Sequence, residues 1–356
     1  MKHTKDNTPE TGIVQWESPS NIALVKYWGK SDIQIPKNPS ISFTLREAKT
    51  ITQLEWTRKN SPADKTSFDF LFHGSEKPEF IPKLEVFFQR IDQLMPFLKN
   101  YHLRISSENT FPHSSGIASS ASAMSALAAT LVDMEMTIQP HTGADQKQFS
   151  KHASEISRLG SGSACRSFYP EAAIWGQSSL PGTSDRYAIG LADQLHPIFH
   201  DYRDAILLIE QSPKAVTSTA GHHLMEKNPY ASLRFSEANQ NINRLLSILQ
   251  AGDLEEFVKI VEAEALTLHA LMMTSDPGYI LMHPRTLEVI QHLHAFREES
   301  KLPVCFTLDA GPNVHLLYPA KHAREVEDFI QNELITFCQN QHWIRDQMGE
   351  GAKKLN

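Results

Sequence analysis

Cysteine is scarce. Cys165, Cys305 and Cys338 are the only three in 356 residues, odd in number and far apart. They cannot frame a disulfide scaffold, and no CxxC pair offers a thiolate metal site. A reducing compartment is expected. No apolar run reaches the roughly 18 residues that a membrane span requires, and the opening stretch MKHTKDNTPETG lacks the apolar core of a secretory signal. The chain therefore reads as soluble and cytoplasmic. Basic charge is also short: 34 Lys and Arg against 41 Asp and Glu leave a formal charge of −7. That balance gives no field for nucleic acid or an anionic membrane, so any polyanion must be met by a few placed cations. GxxxxGK[ST], HExxH and GxSxG are missing, which excludes a Walker A loop, a zincin site and a serine-hydrolase elbow. Repeats and low-complexity tracts are missing too.

What is present is an ordinary globular composition, 40% hydrophobic, in a chain long enough for two domains. The boundary is placed near residue 200, giving 1–200 and 201–356, although no change in composition marks it. Residues 13–17, 21–27, 50–56, 68–72 and 101–109 read as strands. Leu84, Phe87, Phe88, Ile91 and Leu94 recur at helical spacing, and 117–134 and 147–158 read as further helices. GSGSACRS is expected to be a turn, EAAIWG a buried strand and 176–185 a surface loop. Beyond the strand RDAILLIE, helical periodicity covers 214–226, 230–250, 253–272, 285–299 and 321–339, with PVCFTLDAG and NVHLLYP as a strand pair. Met272 and Met273 are assigned to the core of their helix.

Four stretches carry chemistry. FPHSSGIASSASA sets Pro112, Ser115, Gly116, Ser119 and Ser120 ahead of an Ala-rich helix. Small residues let an anion approach main-chain amides at a helix start, and serine hydroxyls add donors or reach a phosphate-bound Mg²⁺. A Ser-rich cap on a tightly packed helix explains the same residues. RLGSGSACRS offers Ser161, Ser163 and Arg166 around two glycines; with Cys165 in the third glycine's place it is not a dinucleotide fingerprint. One guanidinium among hydroxyls suits a carboxylate or phosphate, and equally a solvated turn. NIALVKYWGK joins an apolar strand to Lys26, Tyr27 and Lys30, which fit a diphosphate clamp or an amphipathic edge strand. TLDAGPN ends a strand on Asp309, placed to orient or deprotonate a hydroxyl, or simply to form a turn. The pair His222–His223 has no metal-site partner and reads as packed or solvated.

In their order along the chain, NIALVKYWGK, FPHSSGIASSAS, GSGSACRS and LDAGPN resemble the diphosphomevalonate decarboxylase family of the GHMP kinase superfamily. The resemblance implies a two-domain α/β and α+β GHMP kinase fold, with an amino-terminal domain like ribosomal protein S5 domain 2 and a ferredoxin-like carboxyl-terminal domain. It implies ATP and Mg²⁺ as co-substrate and cofactor, mevalonate 5-diphosphate as substrate, and isopentenyl diphosphate, CO₂, phosphate and ADP as products. Asp309, Arg166 and Lys26 match the family's catalytic positions. Asn21, Tyr27, Lys30, Ser161, Ser163, Arg166 and Lys214 match its substrate contacts. Pro112, Ser115, Gly116, Ser119 and Ser120 match its ATP loop, and Ser120 is the candidate metal contact. Relatives are often homodimers. The chain departs from the pattern at Pro39, where relatives commonly carry Asp, at Ser75, where a basic residue is frequent, and near Thr219, where some carry Arg. These departures leave open a phosphomevalonate decarboxylase or a mevalonate 3-kinase. A nucleotide-binding sensor without turnover also stays open.

Overall fold

The computed structural model describes residues 9–112, 117–139, 145–210 and 218–356, with only the main chain at 218 and 219. The spine of the first sheet is a long antiparallel pair, β1 (Thr11–Ala23) and β4 (Ser40–Arg58), with the small hairpin of β2 (Lys30–Ser31) and β3 (Ile35–Pro36) between them in the chain. β5 (Ser67–Phe72), β6 (Ser75–Glu76) and β7 (Tyr101–Asn109) widen it. Because β5 runs parallel to β7, the chain needs a crossover, and α1 (Ile81–Ile91) supplies it. Leu84, Phe87, Phe88 and Ile91 are buried along that helix. Leu94 lies beyond its end and is 43% exposed, so it does not belong to the apolar stripe as expected.

Two helices cover the sheet. α2 (Ser119–Ile138) buries fourteen of its twenty residues, and its small side chains let it settle directly on the strands. Ser122 and Ser125 face inward, where their hydroxyls meet Thr50 at 2.7 Å and Ser18 at 2.5 Å. α3 (Gln146–Gly160) packs beside it, and β8 (Ala172–Trp175) and β9 (Ala188–Gly190) extend the sheet from the first half of β4.

The second unit is an antiparallel sheet in the order β11 (Cys305–Leu308), β12 (Val314–Pro319), β10 (Tyr202–Leu207), β13 (Trp343–Gln347). Its helices are α4 (Ser218–Leu224), α5 (Ala231–Ala251), α6 (Leu254–Met273), α7 (Pro284–Ser300) and α8 (Ala323–Phe329). The two units share a core. From Ala48 to Trp56 β4 alternates buried and half-buried residues, as a strand does with one face covered. From Ser40 to Leu45 it is buried on both faces, because Ile41 and Phe43 meet Ile242, Leu245 and Phe257 of the second unit. Arg46 and Glu47 protrude between these halves, where the β1–β4 register slips next to Pro19. The Asp346 carboxylate of β13 accepts hydrogen bonds from the main-chain N–H groups of Arg46, Glu47 and Ala48 at 2.8–2.9 Å. The chain then returns to the first sheet, where β14 (Lys353–Lys354) pairs with β1.

Several expectations are corrected. The strand expected over 21–27 stops at Ala23, and 24–29 is irregular. GSGSACRS is a 3₁₀ segment, Gly162–Phe168, rather than a turn. The helix expected over 321–339 passes after Phe329 into one wide π-helical turn, Ile330–Leu334, and that insertion keeps Val326, Phe329, Ile330 and Leu334 on the same core. Met272 is buried, whereas Met273 is 51% exposed. Among the described residues no helix is long and apolar enough to cross a membrane.

Candidate active site

β1 ends in the residues that matter. Asn21, the last of its buried polar side chains, accepts hydrogen bonds at Oδ1 from Nε and Nη2 of Arg166 at 3.3 and 3.0 Å. Its amide donates to the Ser163 carbonyl at 3.1 Å and to Ser167 Oγ at 2.9 Å. Arg166 is 2% exposed and donates also to Ser40 Oγ. Burial lowers its guanidinium pKa, while Asp309 nearby opposes the shift.

Lys26 sits where the strand has given way to irregular chain. Its Nζ donates to the Ala23 carbonyl at 2.5 Å and to Thr307 Oγ1 at 2.8 Å, two residues before Asp309. Burial brings its pKa down to about 8; Asp309 and then Glu264 oppose this, and Arg166 and Arg234 reinforce it. Lys26, Arg166 and Asp309 therefore lie in one electrostatic neighbourhood although 140 and 143 residues separate them along the chain. The turn carrying Asp309 is held by His269, whose Nε2 donates to the Asp309 carbonyl at 3.2 Å.

Tyr27 stands between Trp175 and His222, at ring distances of 4.7 and 4.3 Å. Its hydroxyl is buried and has no hydrogen-bond partner among the described residues. A Cβ on Gly162 would lie 2.7 Å from Trp175 and 2.9 Å from the Tyr27 ring, so only glycine allows this packing. His222 is buried to the point that its pKa falls to about 3, and its neutral Nδ1 accepts from Gly29 N–H at 2.9 Å. It is the packed member of the histidine pair; His223 is exposed against Glu226.

The start of α2 closes another side. Ser120 Oγ lies 3.2 Å from Ser161 Oγ, joining the small-residue segment to the glycine segment. Among the described residues no side chain caps the helix, whose N-cap, Ala118, adopts a left-handed conformation. Pro112 is half-buried just before this region. Ser115, Gly116 and Lys214 lie outside the described residues.

A cavity of about 110 Å³ adjoins Ser119 and Ser120, walled by Phe70, Phe72 and Phe80. Lys83 lines it with its side chain exposed, and crowding by neighbouring protein atoms, followed by Lys30, lowers its pKa. Lys30 is lowered in turn by partial burial and by Arg90. Lys83, Lys30 and Arg90 thus form a chain of cations within electrostatic reach of one another, an arrangement that an anion relieves. Sequence reading missed Lys83, which differs from other helix lysines only in facing a cavity. It also missed Thr307 and His269, whose importance comes from neighbours distant in the chain. Ser163 contributes its carbonyl to Asn21, and among the described residues its hydroxyl has no hydrogen-bond partner.

An α/β unit with a small-residue helix start, joined to an antiparallel α+β unit that supplies an aspartate, is a GHMP kinase fold, and solved structures agree. Mevalonate diphosphate decarboxylase from Staphylococcus aureus matches with a TM-score of 0.82 and 27% identity, over 97% of this chain and 98% of that one. A complex of MDDEF with MVAPP, AMPPCP and magnesium matches with a TM-score of 0.81 and 23% identity, over 97% and 99%. Residues 18–188 match the diphosphomevalonate decarboxylase-like N-terminal domain, and residues 205–355 the mevalonate 5-diphosphate decarboxylase C-terminal domain. Diphosphomevalonate decarboxylase of Ganoderma lucidum is 28% identical over 330 residues, 88% of this chain and 80% of its own. The Saccharomyces cerevisiae enzyme is 27% identical over 332 residues, 88% and 79%. The chain belongs to the diphosphomevalonate decarboxylase family.

Proposed function

We propose that this protein converts mevalonate 5-diphosphate to isopentenyl diphosphate and CO₂ at the expense of ATP, in the cytoplasm. The observation that carries the reading is the grouping of Lys26, Arg166 and Asp309, with the segment that carries Arg166 joined to the start of α2 through Ser161 and Ser120. A tertiary C3 hydroxyl is a poor leaving group. Transfer of the γ-phosphoryl group from ATP to that oxygen remedies this and leaves ADP. The C3–O bond then breaks with release of phosphate, while the electrons of the bond to the carboxylate form the alkene and CO₂ departs.

Each residue answers a charge in that sequence. Asp309 orients or deprotonates the C3 hydroxyl. Arg166, already positioned by Asn21, binds the substrate carboxylate, and Lys26 offsets negative charge at the reacting oxygen. The unpaired Tyr27 hydroxyl and Lys30 offer donors to the substrate phosphates, with Ser161, Ser163 and Lys214 completing the set. Ser119, Ser120 and the Pro112–Gly116 segment receive the nucleotide phosphates, and the phenylalanine-walled cavity takes the base. Mg²⁺ is characteristically held by substrate phosphates with few protein ligands. Among the described residues no cluster of three metal-ligating side chains occurs, and the Ser120 hydroxyl fits such a sparse donor set. When bound, the ion neutralises phosphate charge.

The test is release of labelled CO₂ from mevalonate 5-diphosphate, dependent on both ATP and Mg²⁺. ADP formation without CO₂ refutes the assignment in favour of a 3-kinase. The departures at Pro39, Ser75 and Thr219 favour a second reading, the same chemistry on the 5-monophosphate. Turnover on the two substrates side by side decides between them.

A further inference from the structure

Lys26 is gripped by its main chain as well as by its ammonium. Its N–H donates to Glu264 Oε2 at 2.9 Å. Its carbonyl accepts from Asn38 Nδ2 at 3.0 Å and from Arg234 Nη2 at 3.2 Å. Glu264 and Arg234 form a forked pair, Nη1 to Oε1 at 2.9 Å and Nη2 to Oε2 at 2.6 Å, and Asn241 Nδ2 adds a bond to Oε1 at 2.7 Å. Both charged side chains are 1% exposed. The pair therefore bridges α5 and α6 of the second unit to the main chain on both sides of one residue in an irregular stretch of the first.

A buried ion pair gains little stability over packed apolar residues, because dehydration of both charges offsets their attraction. Its contacts give it a different use. We infer that Glu264 and Arg234 are positioning residues for Lys26, holding its peptide so that the ammonium reaches Thr307 and the Asp309 turn; this rests on the catalytic role proposed above for Lys26. Strand pairing cannot do this, since β1 has ended at Ala23. The same carboxylate also bears on the ammonium's charge. The groups facing Lys26 are Asp309 after β11, Glu264 and His269 on α6, Arg234 on α5 and Arg166 after α3. Of these only Asp309 and Glu264 favour the protonated amine.

The test compares Glu264→Gln, Arg234→Lys and Lys26→Met in the intact enzyme by steady-state CO₂ release across pH. Glu264→Gln is expected to lower kcat about tenfold or more with KM within about twofold. It should also move the alkaline limb of the profile toward acid by at least about half a pH unit. Arg234→Lys keeps the charge but loses the fork and the bond to the Lys26 carbonyl, so kcat should fall about fivefold or more with the limb unmoved. A folded Glu264→Gln enzyme with wild-type kcat and limb overturns the inference. Should Glu264→Gln fail to fold, Arg234→Lys decides alone: wild-type kcat overturns the inference and the expected fall supports it. If Lys26→Met retains wild-type turnover, it is the catalytic assignment of Lys26 that fails, and the positioning role fails with it.

Discussion

A lysine enclosed by protein tends to surrender its proton, because the neutral amine loses less hydration than the ammonium does. Lys26 is held at about 8 rather than its ordinary 10.5, with burial outweighing Asp309 and Glu264. The charged form is therefore complete well below pH 8 and lost above it. If that charge serves the reaction, kcat/KM should be level on the acid side of this value and fall tenfold per pH unit on the alkaline side. A profile over roughly pH 6–10 checks this. Asp309→Asn should leave nucleotide affinity nearly intact and cut turnover by at least about 10²-fold, since the amide cannot accept the hydroxyl proton. Nucleotide titration alongside CO₂ release separates the two effects. Asp309 and Lys26 were legible in the sequence as candidates, because a strand-ending aspartate and a lysine beside aromatics are chemical types that a linear pattern displays; the burial that lowers the lysine was not. The link between the two through Thr307 was not legible either, because Lys26 and Thr307 stand 281 positions apart.

At the scale of elements, regular periodicity was easiest to read. α1, α5, α6 and α7 lie close to where apolar spacing placed them, since each buries apolar residues that recur at helical spacing. Departures came where two layers meet. β4 is buried on both faces over Ser40–Leu45 and loses the alternation that marks a strand, so 50–56 was read and the preceding half was not. The 3₁₀ segment Gly162–Phe168 was also obscured. It takes its form from packing on Tyr27 and Trp175, neither of which local spacing brings near. Gly162→Ala tests that packing. A methyl 2.7 Å from Trp175 must displace a ring, at a cost on the order of 1–3 kcal/mol. Thermal unfolding should register the loss, and turnover should fall as well, since Ser161, Ser163 and Arg166 move with the segment.

Across the whole molecule, the joint between the two sheets depends on a carboxylate. Asp346 reaches from β13 to the protruding residues of β4, accepts their N–H groups, and is buried enough that its pKa rises to about 6 despite those donors. Asp346→Asn replaces one acceptor oxygen by a donor facing other donors. The unfolding free energy should drop by about 1–3 kcal/mol, read from denaturant midpoints. Little in the sequence announced this joint: WIRDQ is short and polar, and its acid has no local partner. The three cysteines, by contrast, are all free and buried, in keeping with their sparse placement.

That joint also governs how this gene can be recombined. A crossover in the stretch between residues 188 and 205 looks natural on the linear map, because one family domain ends at 188 and the other begins at 205. Yet it would part Asp346 from the bulge it satisfies and Lys353–Lys354 from the strand they border. Chimaeras with a relative's front half should therefore regain function only when the graft brings along a tail segment, about residues 343–355, fitted to the new β4.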